Sequence, residues 1–234
     1  MQPYFLPYIG YWQLIAAADT FVILDDVNYI NRGWINRNKV WTGGKTVWFT
    51  IPLRGASQNK IITDIEILPD DGWRKKMRER LKTTTARSPF EKETHVLIDD
   101  FLDYAHENLA DFLFKTIKRI CAMLEIRTRI LRSSELQPKI RVQGAERIIS
   151  ICKKCQAKKY VNPEGGRHLY DSSAFARNNL ELVLLKPNFD HEGACLQFPD
   201  RTPGSFLYCL AQSGALRLSE ASRKGLLETI ENIA

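Results

Sequence analysis

The run FVILD at Phe21 to Asp25 constrains the fold of this chain more than any other segment. Consecutive apolar residues without alternation are typical of a strand buried on both faces, as in a parallel sheet covered by helices. The preceding residues, Tyr11 to Asp19, predict a short helix. A helix that leads into a buried strand favours an α/β fold with parallel strands.

The next hundred residues first predict strands and then helices. Trp34 to Trp41 and Thr46 to Pro52 flank the glycine pair Gly43-Gly44, a pattern that predicts a β-hairpin. Ile61 to Leu68 alternates and predicts another strand. Apolar residues that recur at intervals of three and four then predict three helices, at about Asp71 to Thr84, Pro89 to Tyr104 and Glu107 to Leu124.

The remaining residues alternate between strand and helix patterns. The predicted strands are Thr128 to Leu131, Lys159 to Val161 and Glu181 to Leu185; the predicted helices are Gly144 to Cys155, Ser172 to Asn179, Ser205 to Gln212 and Ser219 to Ile233. This rhythm indicates βαβ units. We therefore expect an α/β fold with a mostly parallel, Rossmann-like sheet, a β-hairpin and a helical middle segment. Residues 1–234 are predicted to form a single domain, with a helical subdomain at about 71–125 as the alternative.

Composition places the chain among ordinary globular proteins. Hydrophobic residues make up 44% and charged residues 26%, and no apolar run is long enough to span a bilayer. The beginning, MQPYFLPYIG, shows no export signal, so we expect a cytoplasmic protein. The five cysteines form no disulfide framework and are expected to be free thiols. Cys152 and Cys155 form a lone CxxC in a helix, for which we expect neither zinc nor redox chemistry.

The formal charge of +7 restricts the class of partner only loosely. A basic protein attracts nucleic acid, but it also attracts nucleotide sugars, phosphopantetheine or an anionic carrier protein. The densest basic runs lie on predicted helices, where such runs usually form a solvated face. We therefore do not expect nucleic acid as the partner.

Polar side chains are concentrated between Asp25 and Lys39. Asp25 and Asp26 come at the carboxyl end of the predicted buried strand, where α/β sheets bind ligands. Two neighbouring carboxylates can share a proton, so that one acts as a general base. The alternative is a surface hairpin whose charges pair with each other.

The hairpin strand that follows has a predicted division of faces. If residues 34–41 are extended, one face carries amide groups and the other positive charge. The first face comprises Trp34, Asn36 and Asn38, and the second comprises Ile35, Arg37 and Lys39. Asparagine is a poor strand former, so a binding role is expected for it here.

A second polar segment runs from Tyr160 to Asp171. It combines a strand, the glycines Gly165 and Gly166, and a helix start at Asp171 or Ser172. Adjacent glycines let backbone N–H groups turn toward an anion, although this segment is neither GxGxxG nor a P-loop. His168 is a candidate proton shuttle or an ordinary loop histidine.

Together these segments resemble the WbqC-like protein family, whose members are found among bacterial genes for O-antigen and other polysaccharide synthesis. The resemblance rests on MQPYFLPYIGYWQLI, ADTFVILDDVNYINRGWINRNKV, TIPL with SQNKI, RIISICKKCQAKKYVNPEGGRHLYD, and LELVLLKP. The family pattern marks Gln2, Pro3, Tyr4, Asp25, Asp26, Trp34, Asn36, Arg37, Asn38, Gln58, Asn162, Gly165, Gly166, Tyr170 and Asp171. Members usually begin with a short apolar strand before the QP segment, and many have His where this chain has Met1. The resemblance therefore leaves open whether a first strand is missing, and no role for that His is transferred.

The resemblance implies a role in polysaccharide synthesis, and the hypothesis is transfer of an acyl or aminoacyl group to an amino sugar or its nucleotide-activated form. The expected catalytic residues are Asp25, Asp26 and His168; the expected substrate-binding residues are Gln2, Tyr4, Tyr29, Arg32, Trp34, Asn36, Arg37, Asn38, Gln58, Asn162, Gly165, Gly166 and Tyr170. The expected partners are the sugar and an acyl or aminoacyl carrier; no metal site is expected and no cofactor is indicated. A non-catalytic binding protein for a nucleotide sugar or carrier, and a metal-dependent glycosyltransferase, are the alternatives.

Overall fold

The structure, a computed structural model, describes residues 1–69, 72–103, 107–136 and 142–229. Helix α1 (Ile9–Ala16) leads into strand β1 (Thr20–Ile23), which confirms the predicted helix and strand with slightly different limits. Phe21 and Ile23 are buried on one face of β1, whereas Thr20 and Val22 on the other face are only partly buried, so the predicted burial on both faces is confirmed for one face alone.

The predicted hairpin is confirmed. Strands β2 (Arg37–Thr42) and β3 (Lys45–Thr50) pair antiparallel, and the turn between them consists of Gly43 and Gly44. Both glycines have positive φ, 55° and 78°, as a two-residue turn matched to the strand twist requires.

The strand predicted at Ile61 to Leu68 is mostly wrong. Residues Ile62–Asp64 form a 3₁₀ turn, and only Glu66–Ile67 is extended, as β5, paired antiparallel with β4 (Leu53–Arg54). Ile62, Ile65 and Ile67 are all buried, and their spacing of three and then two residues fits a turn followed by a short strand.

Three helices form the middle of the chain, as predicted: α2 (Trp73–Thr85), α3 (Glu91–Asp103) and α4 (Leu109–Met123). The predicted limits at Asp71 and Tyr104 lie outside the described residues. The side chain of Asn108 accepts a hydrogen bond from the Asp111 N–H at 3.2 Å and caps α4. Phe101 of α3 and Phe112 of α4 pack against Phe5, so these helices share a core with the N-terminal segment.

The second half follows the predicted alternation. Its elements are β6 (Arg129–Arg132), α5 (Gly144–Lys154), β7 (Lys159–Pro163), α6 (Ser172–Ala176), β8 (Glu181–Lys186), α7 (Phe206–Ser222) and β9 (Leu226–Thr229). The prediction of two C-terminal helices is wrong in part. One helix with a kink at Gly214 covers the first predicted helix and only the beginning of the second, and Leu226–Thr229, predicted as helix, form β9. The predicted end at Ile233 lies outside the described residues.

The strands of the described chain form four separate small sheets. β1 pairs parallel with β6, and β7 pairs parallel with β8, whose other edge pairs antiparallel with β9; the pairs β2–β3 and β4–β5 are antiparallel. The fold is therefore mixed α/β with two parallel strand pairs. A single Rossmann-like sheet is not confirmed, because neither parallel pair is joined to the other by hydrogen bonds between strands.

Buried apolar side chains form two clusters. The larger one joins α1, β1 and the helical middle, and the smaller one lies between α5, α6 and β8. Each of the five cysteines is a free thiol. Within the described ranges, no helix is both long enough and apolar enough to cross a membrane.

Candidate functional site

Asp25 lies at the end of β1 and is only 1% exposed. One carboxylate oxygen accepts hydrogen bonds from the Ser134 N–H at 3.0 Å and the Ser133 hydroxyl at 3.2 Å. The other accepts from Arg132 Nε at 2.6 Å and the Ser134 hydroxyl at 2.7 Å. Four donors therefore surround the carboxylate, which fastens the end of β6 to the end of β1.

Asp26 is held by a different set of groups. Its Oδ1 accepts from Arg147 Nη2 of α5 at 2.6 Å and from the Ser133 hydroxyl. Asp25 and Asp26 thus bind two different arginines instead of sharing a proton with each other. This geometry does not support the general-base role expected of the pair.

Asn36 and Asn38 are buried and bonded to backbone groups. Asn36 donates to the Ile51 carbonyl at 2.9 Å and accepts from the Tyr29 hydroxyl at 2.8 Å. Asn38 donates to the carbonyls of Phe5 and Leu6 at 2.9 and 2.7 Å, while its own oxygen accepts from the Lys39 N–H at 2.8 Å. Both amides connect the hairpin to neighbouring segments, which gives them a structural reason to be in or beside a strand.

Trp34 lies on the face of the hairpin that carries the positive charges. Its ring packs 5.3 Å from that of Trp48, and the cations of Arg37 and Lys39 lie 4.0 and 4.8 Å from the same Trp48 ring. The predicted grouping of Trp34 with the asparagines is therefore wrong. Strand β2 begins only at Arg37, so the alternation of faces does not extend back to residue 34.

The glycines after β7 lie in a 3₁₀ helix, Glu164–Leu169, and neither has positive φ. A Cβ atom on Gly166 would meet the side chain of Asn162, whereas one on Gly165 would enter open space. Gly166 therefore provides room for Asn162, and the glycines do not form the anion-binding turn that the sequence suggested. His168 is exposed on the same helix.

Asn162 is the polar residue of this region whose bonding is incomplete. It is 5% exposed, and its oxygen accepts a hydrogen bond from the Tyr160 hydroxyl at 3.2 Å. Its Nδ2 amide is buried and has no hydrogen-bond partner among the residues that the structure describes. A buried donor without a partner lowers the free energy of unfolding by about 1–3 kcal/mol, and a hydrogen bond to an acceptor on a ligand would offset this cost.

A cleft of about 1440 Å³ lies between the N-terminal segment, β1, the hairpin and β7. The predicted site residues that line it are Gln2, Tyr4, Trp34, Asn38, Asn162, Gly165, Gly166 and Tyr170. The predicted residues outside its lining are Asp25, Asp26, Tyr29, Arg32, Asn36, Arg37, Gln58 and His168. The cleft therefore brings the two polar segments together through their rings and amides, without the expected catalytic groups.

The lining of the cleft contains two kinds of side chain. Leu14, Val22, Ile148 and Ile151 are apolar, whereas Gln2, Tyr4, Trp34, Lys39, Asn162 and Tyr170 are polar or aromatic. Burial raises the pKa of the Tyr4 hydroxyl above its usual value and that of Tyr160 far above it. Both hydroxyls therefore stay protonated near neutral pH and act as neutral hydrogen-bonding groups.

Sequence reasoning missed several cleft residues. Tyr8, Phe198 and Ser205 also line the cleft. Tyr8 belongs to the N-terminal segment MQPYFLPYIG, whose aromatic residues are a local sequence signal for it. Phe198 and Ser205 are brought in from the distant C-terminal third by the hydrogen bond from the Ser205 hydroxyl to the Lys39 carbonyl at 2.6 Å, and no local pattern marks them.

No cluster of three or more His, Cys, Asp or Glu side chains suited to a metal ion occurs in the ranges described above. The oxygens that the glycosyltransferase alternative would need, those of Asp25 and Asp26, accept hydrogen bonds from arginine and serine. That alternative therefore has no support from the arrangement of these carboxylates.

Comparison with known proteins gives a consistent picture. The model of the WbqC-like protein family matches residues 2–198. An uncharacterized protein of Mycobacterium tuberculosis, Rv1507c, is 29% identical over 196 residues, covering 82% of this chain and 81% of the relative. No solved structure matches the chain. The family match spans both polar segments and most of the residues that line the cleft, and the chain belongs to the WbqC-like protein family.

Proposed function

We propose that the protein binds a nucleotide-activated amino sugar in the cleft and takes part in polysaccharide synthesis. The observation that carries this proposal is the buried Nδ2 amide of Asn162, which lacks a hydrogen-bond partner within the described chain. Sugar hydroxyl and acetamido oxygens are acceptors of the kind that this donor requires.

The groups around Asn162 suit the rest of such a ligand. Trp34 is 43% exposed, with its ring packed against Trp48, and offers an aromatic surface to a sugar or a base. Tyr4 and Tyr170 add further rings that line the cleft, and Lys39 supplies a positive charge for a diphosphate. The lining of the cleft therefore combines a hydrogen-bond donor, aromatic surfaces and a cation.

The reaction is a separate question from binding. Transfer of an acyl or aminoacyl group to the sugar amine stays a prediction, because the carboxylates expected to act as base are bonded to Arg132 and Arg147 and do not line the cleft. A non-catalytic protein that binds a nucleotide sugar uses the same residues, so the proposal rests on recognition.

Titration calorimetry with nucleotide-linked amino sugars, the free nucleotides and the free sugars tests the proposal. We expect saturable binding by the unmodified protein and a roughly five- to thirtyfold loss of affinity in Asn162→Ala, since one hydrogen bond to a buried donor is worth about 1–2 kcal/mol. Asn31→Ala, at an exposed asparagine outside the cleft, is the control and should leave affinity unchanged. Absence of binding to every nucleotide sugar, or equal losses in both variants, contradicts the proposal.

Two glycine variants test the role of the Asn162 amide in a second way. Gly166→Ala places a methyl group against the Asn162 side chain and should displace its amide, lowering affinity about as much as Asn162→Ala. Gly165→Ala meets open space and should retain affinity. Circular dichroism of both variants establishes that they fold alike.

A further inference from the structure

Positive charge is concentrated in one segment of the chain, residues 27–63. This segment contains six Lys or Arg residues and no Asp or Glu. Because the formal charge of the whole chain is +7, all but one unit of it comes from this segment, and positive and negative residues nearly balance elsewhere. A surface built from such a segment attracts anions.

Most of these cations lack a carboxylate partner among the described residues. Arg54 forms an ion pair with Glu66 at 3.2 Å. Asp200 lies close enough to Lys39 for that charge to help lower the pKa of its carboxyl, after the hydrogen bonds from Thr202, but it bonds to Thr202 instead of Lys39. The cations that form no ion pair with a described residue are Arg32, Arg37, Lys39, Lys45 and Lys60.

Several of these cations lie beside tryptophan rings on one face of the β2–β3 hairpin. Lys39 is paired with Trp48 across the hairpin, and Arg37 precedes Lys39 by two residues, so these three side chains share a face. Trp34 packs against Trp48, and Arg37 donates to the carbonyl of the exposed residue Arg32. We call this surface, formed by Arg32, Trp34, Arg37, Lys39 and Trp48, the hairpin outer face.

The two faces of the hairpin differ in burial. Asn38, Val40 and Phe49, on the opposite face, are buried against the rest of the fold. On the outer face Trp34 is 43% exposed and Trp48 is 36% exposed, although tryptophan is highly buried on average. Exposed aromatic side chains surrounded by polar groups are typical of interaction sites.

The position of the cations discriminates between anionic partners. The Arg37 guanidinium lies 4.0 Å and the Lys39 ammonium 4.8 Å from the centre of the Trp48 ring, and Trp34 packs beside the same ring. A nucleic-acid base needs an uncovered ring face for stacking, which Trp48 does not offer. A protein interface usually has an apolar centre with charges at its rim, whereas here the charges lie over the central ring.

An anionic bilayer fits this arrangement better. Tryptophan is enriched at the level of the lipid headgroups, and long Lys and Arg side chains extend past apolar groups to reach phosphates. Each Lys or Arg near an anionic headgroup layer adds to the attraction. Binding to a bilayer also requires no pocket of complementary shape, only rings and cations on one face.

We propose that the hairpin outer face docks on an anionic lipid surface. In this contact Arg32, Arg37 and Lys39 bind headgroup phosphates, while the exposed parts of Trp34 and Trp48 lie at the same depth. Trp34 and Lys39 also line the cleft, so docking places the cleft next to the bilayer surface. The inference follows from the charge and exposure of the hairpin and does not rest on the ligand proposed for the cleft.

Vesicle sedimentation tests the proposal. The full chain should bind vesicles made of phosphatidylcholine and phosphatidylglycerol in equal parts but not vesicles of phosphatidylcholine alone, and high salt should release it. Each cation near an anionic surface contributes about fivefold to binding, so Arg32→Gln combined with Arg37→Gln should weaken it about 25-fold. The control pair, Arg127→Gln with Lys224→Gln, removes the same charge from exposed positions outside the segment and should leave binding nearly unchanged.

A charge-retaining pair separates the role of charge from that of local structure. Arg32→Lys combined with Arg37→Lys should keep most of the binding, because the headgroups respond to charge. A loss as large as in the glutamine pair overturns the proposal, as do an equal loss in the control pair and the absence of binding to anionic vesicles at low salt. Tighter binding to polyglutamate than to these vesicles assigns the face to an acidic protein instead, and tighter binding to single-stranded DNA assigns it to nucleic acid.

Discussion

Asn36, Asn38 and Asn162 are all buried, yet their hydrogen-bond partners give them different roles. The first two bond to backbone carbonyls and hold segments of the fold together. Asn162 lines the cleft and keeps a buried amide without a partner among the described residues. Residue type and sequence position suggest polar function equally for all three, and only the hydrogen-bond partners distinguish the two anchoring asparagines from the one that we propose binds a ligand.

Asn38→Ala should be strongly destabilising. The Asn38 amide donates to the carbonyls of Phe5 and Leu6, and Leu6 is held at a φ of 48°, which is unfavourable for leucine. Loss of both bonds leaves two buried carbonyls unsatisfied and should lower the free energy of unfolding by about 2–4 kcal/mol. Urea unfolding measures the effect. Asn59→Ala, in an exposed turn, is the control, and a loss of equal size there would show that Asn38 is no special anchor.

At the scale of helices and strands, local sequence patterns predicted the elements whose conformation is determined by neighbouring residues. The apolar run at Phe21 to Asp25 and the glycine pair Gly43-Gly44 correctly predicted a strand and a hairpin turn, because a continuous apolar run and glycines at positive φ are clear local signals. Ile61 to Leu68 alternates, but the Asn108 amide donates to the Thr63 carbonyl at 2.7 Å from a neighbouring helix start, and the segment turns. Asn108 lies 45 residues from Thr63 along the chain, so no local sequence pattern predicts this contact.

The kink in α7 is a second feature that the spacing of apolar residues does not predict. Gly214 has φ 73° and ψ 164° inside an otherwise continuous helix, and a Cβ atom there would lie 2.6 Å from the ring of Phe90. Both the backbone conformation and the close approach of Phe90 require glycine.

Gly214→Ala should therefore lower the free energy of unfolding by more than about 2 kcal/mol, since it combines strain at positive φ with overpacking. Chemical unfolding followed by circular dichroism measures the loss. Leu216→Ala, two residues further on and 76% exposed, serves as the control and should be close to neutral. A Gly214→Ala protein as stable as the control would contradict the requirement for glycine.

At the scale of the whole molecule, the sequence predicted parallel pairing but not the arrangement of the pairs. β1–β6 and β7–β8 are parallel, as the βαβ rhythm indicates, but the two pairs belong to separate sheets. The candidate site was predicted in the same partial way. The rings and amides of two polar segments meet at one cleft, whereas Asp25 and Asp26 are bound by Arg132 and Arg147, partners distant in sequence.

The buried Met1 amine predicts a pH dependence for the chain that begins at this residue. Desolvation lowers its pKa from 8.0 in the unfolded chain to about 5 in the fold. Between these values the unfolded state binds more protons, so stability is fully present above pH 8 and is lost as the pH falls toward 5. The loss attributable to this amine should approach about 3–4 kcal/mol, because a tenfold difference in proton affinity between the two states corresponds to about 1.36 kcal/mol.

Unfolding measured from pH 8 to pH 5 on the free and the N-terminally acetylated protein isolates this effect. The acetylated chain cannot bind the proton and should lose less stability over the same interval, while the histidines titrate in both proteins. Parallel pH curves for the two proteins would show that the Met1 amine is not held in a desolvated site.

The pairing of β1 with β6 also has a consequence for the order of events during synthesis. Asp25 and Arg132, which close this pair, are separated by 107 positions along the chain. At synthesis rates of about 5–20 residues per second, β1 waits roughly 5–20 s for its partner to emerge. The apolar side chains of FVIL lack their native strand partner throughout that time, so the open edge of β1 can pair with other strands until β6 has been synthesised.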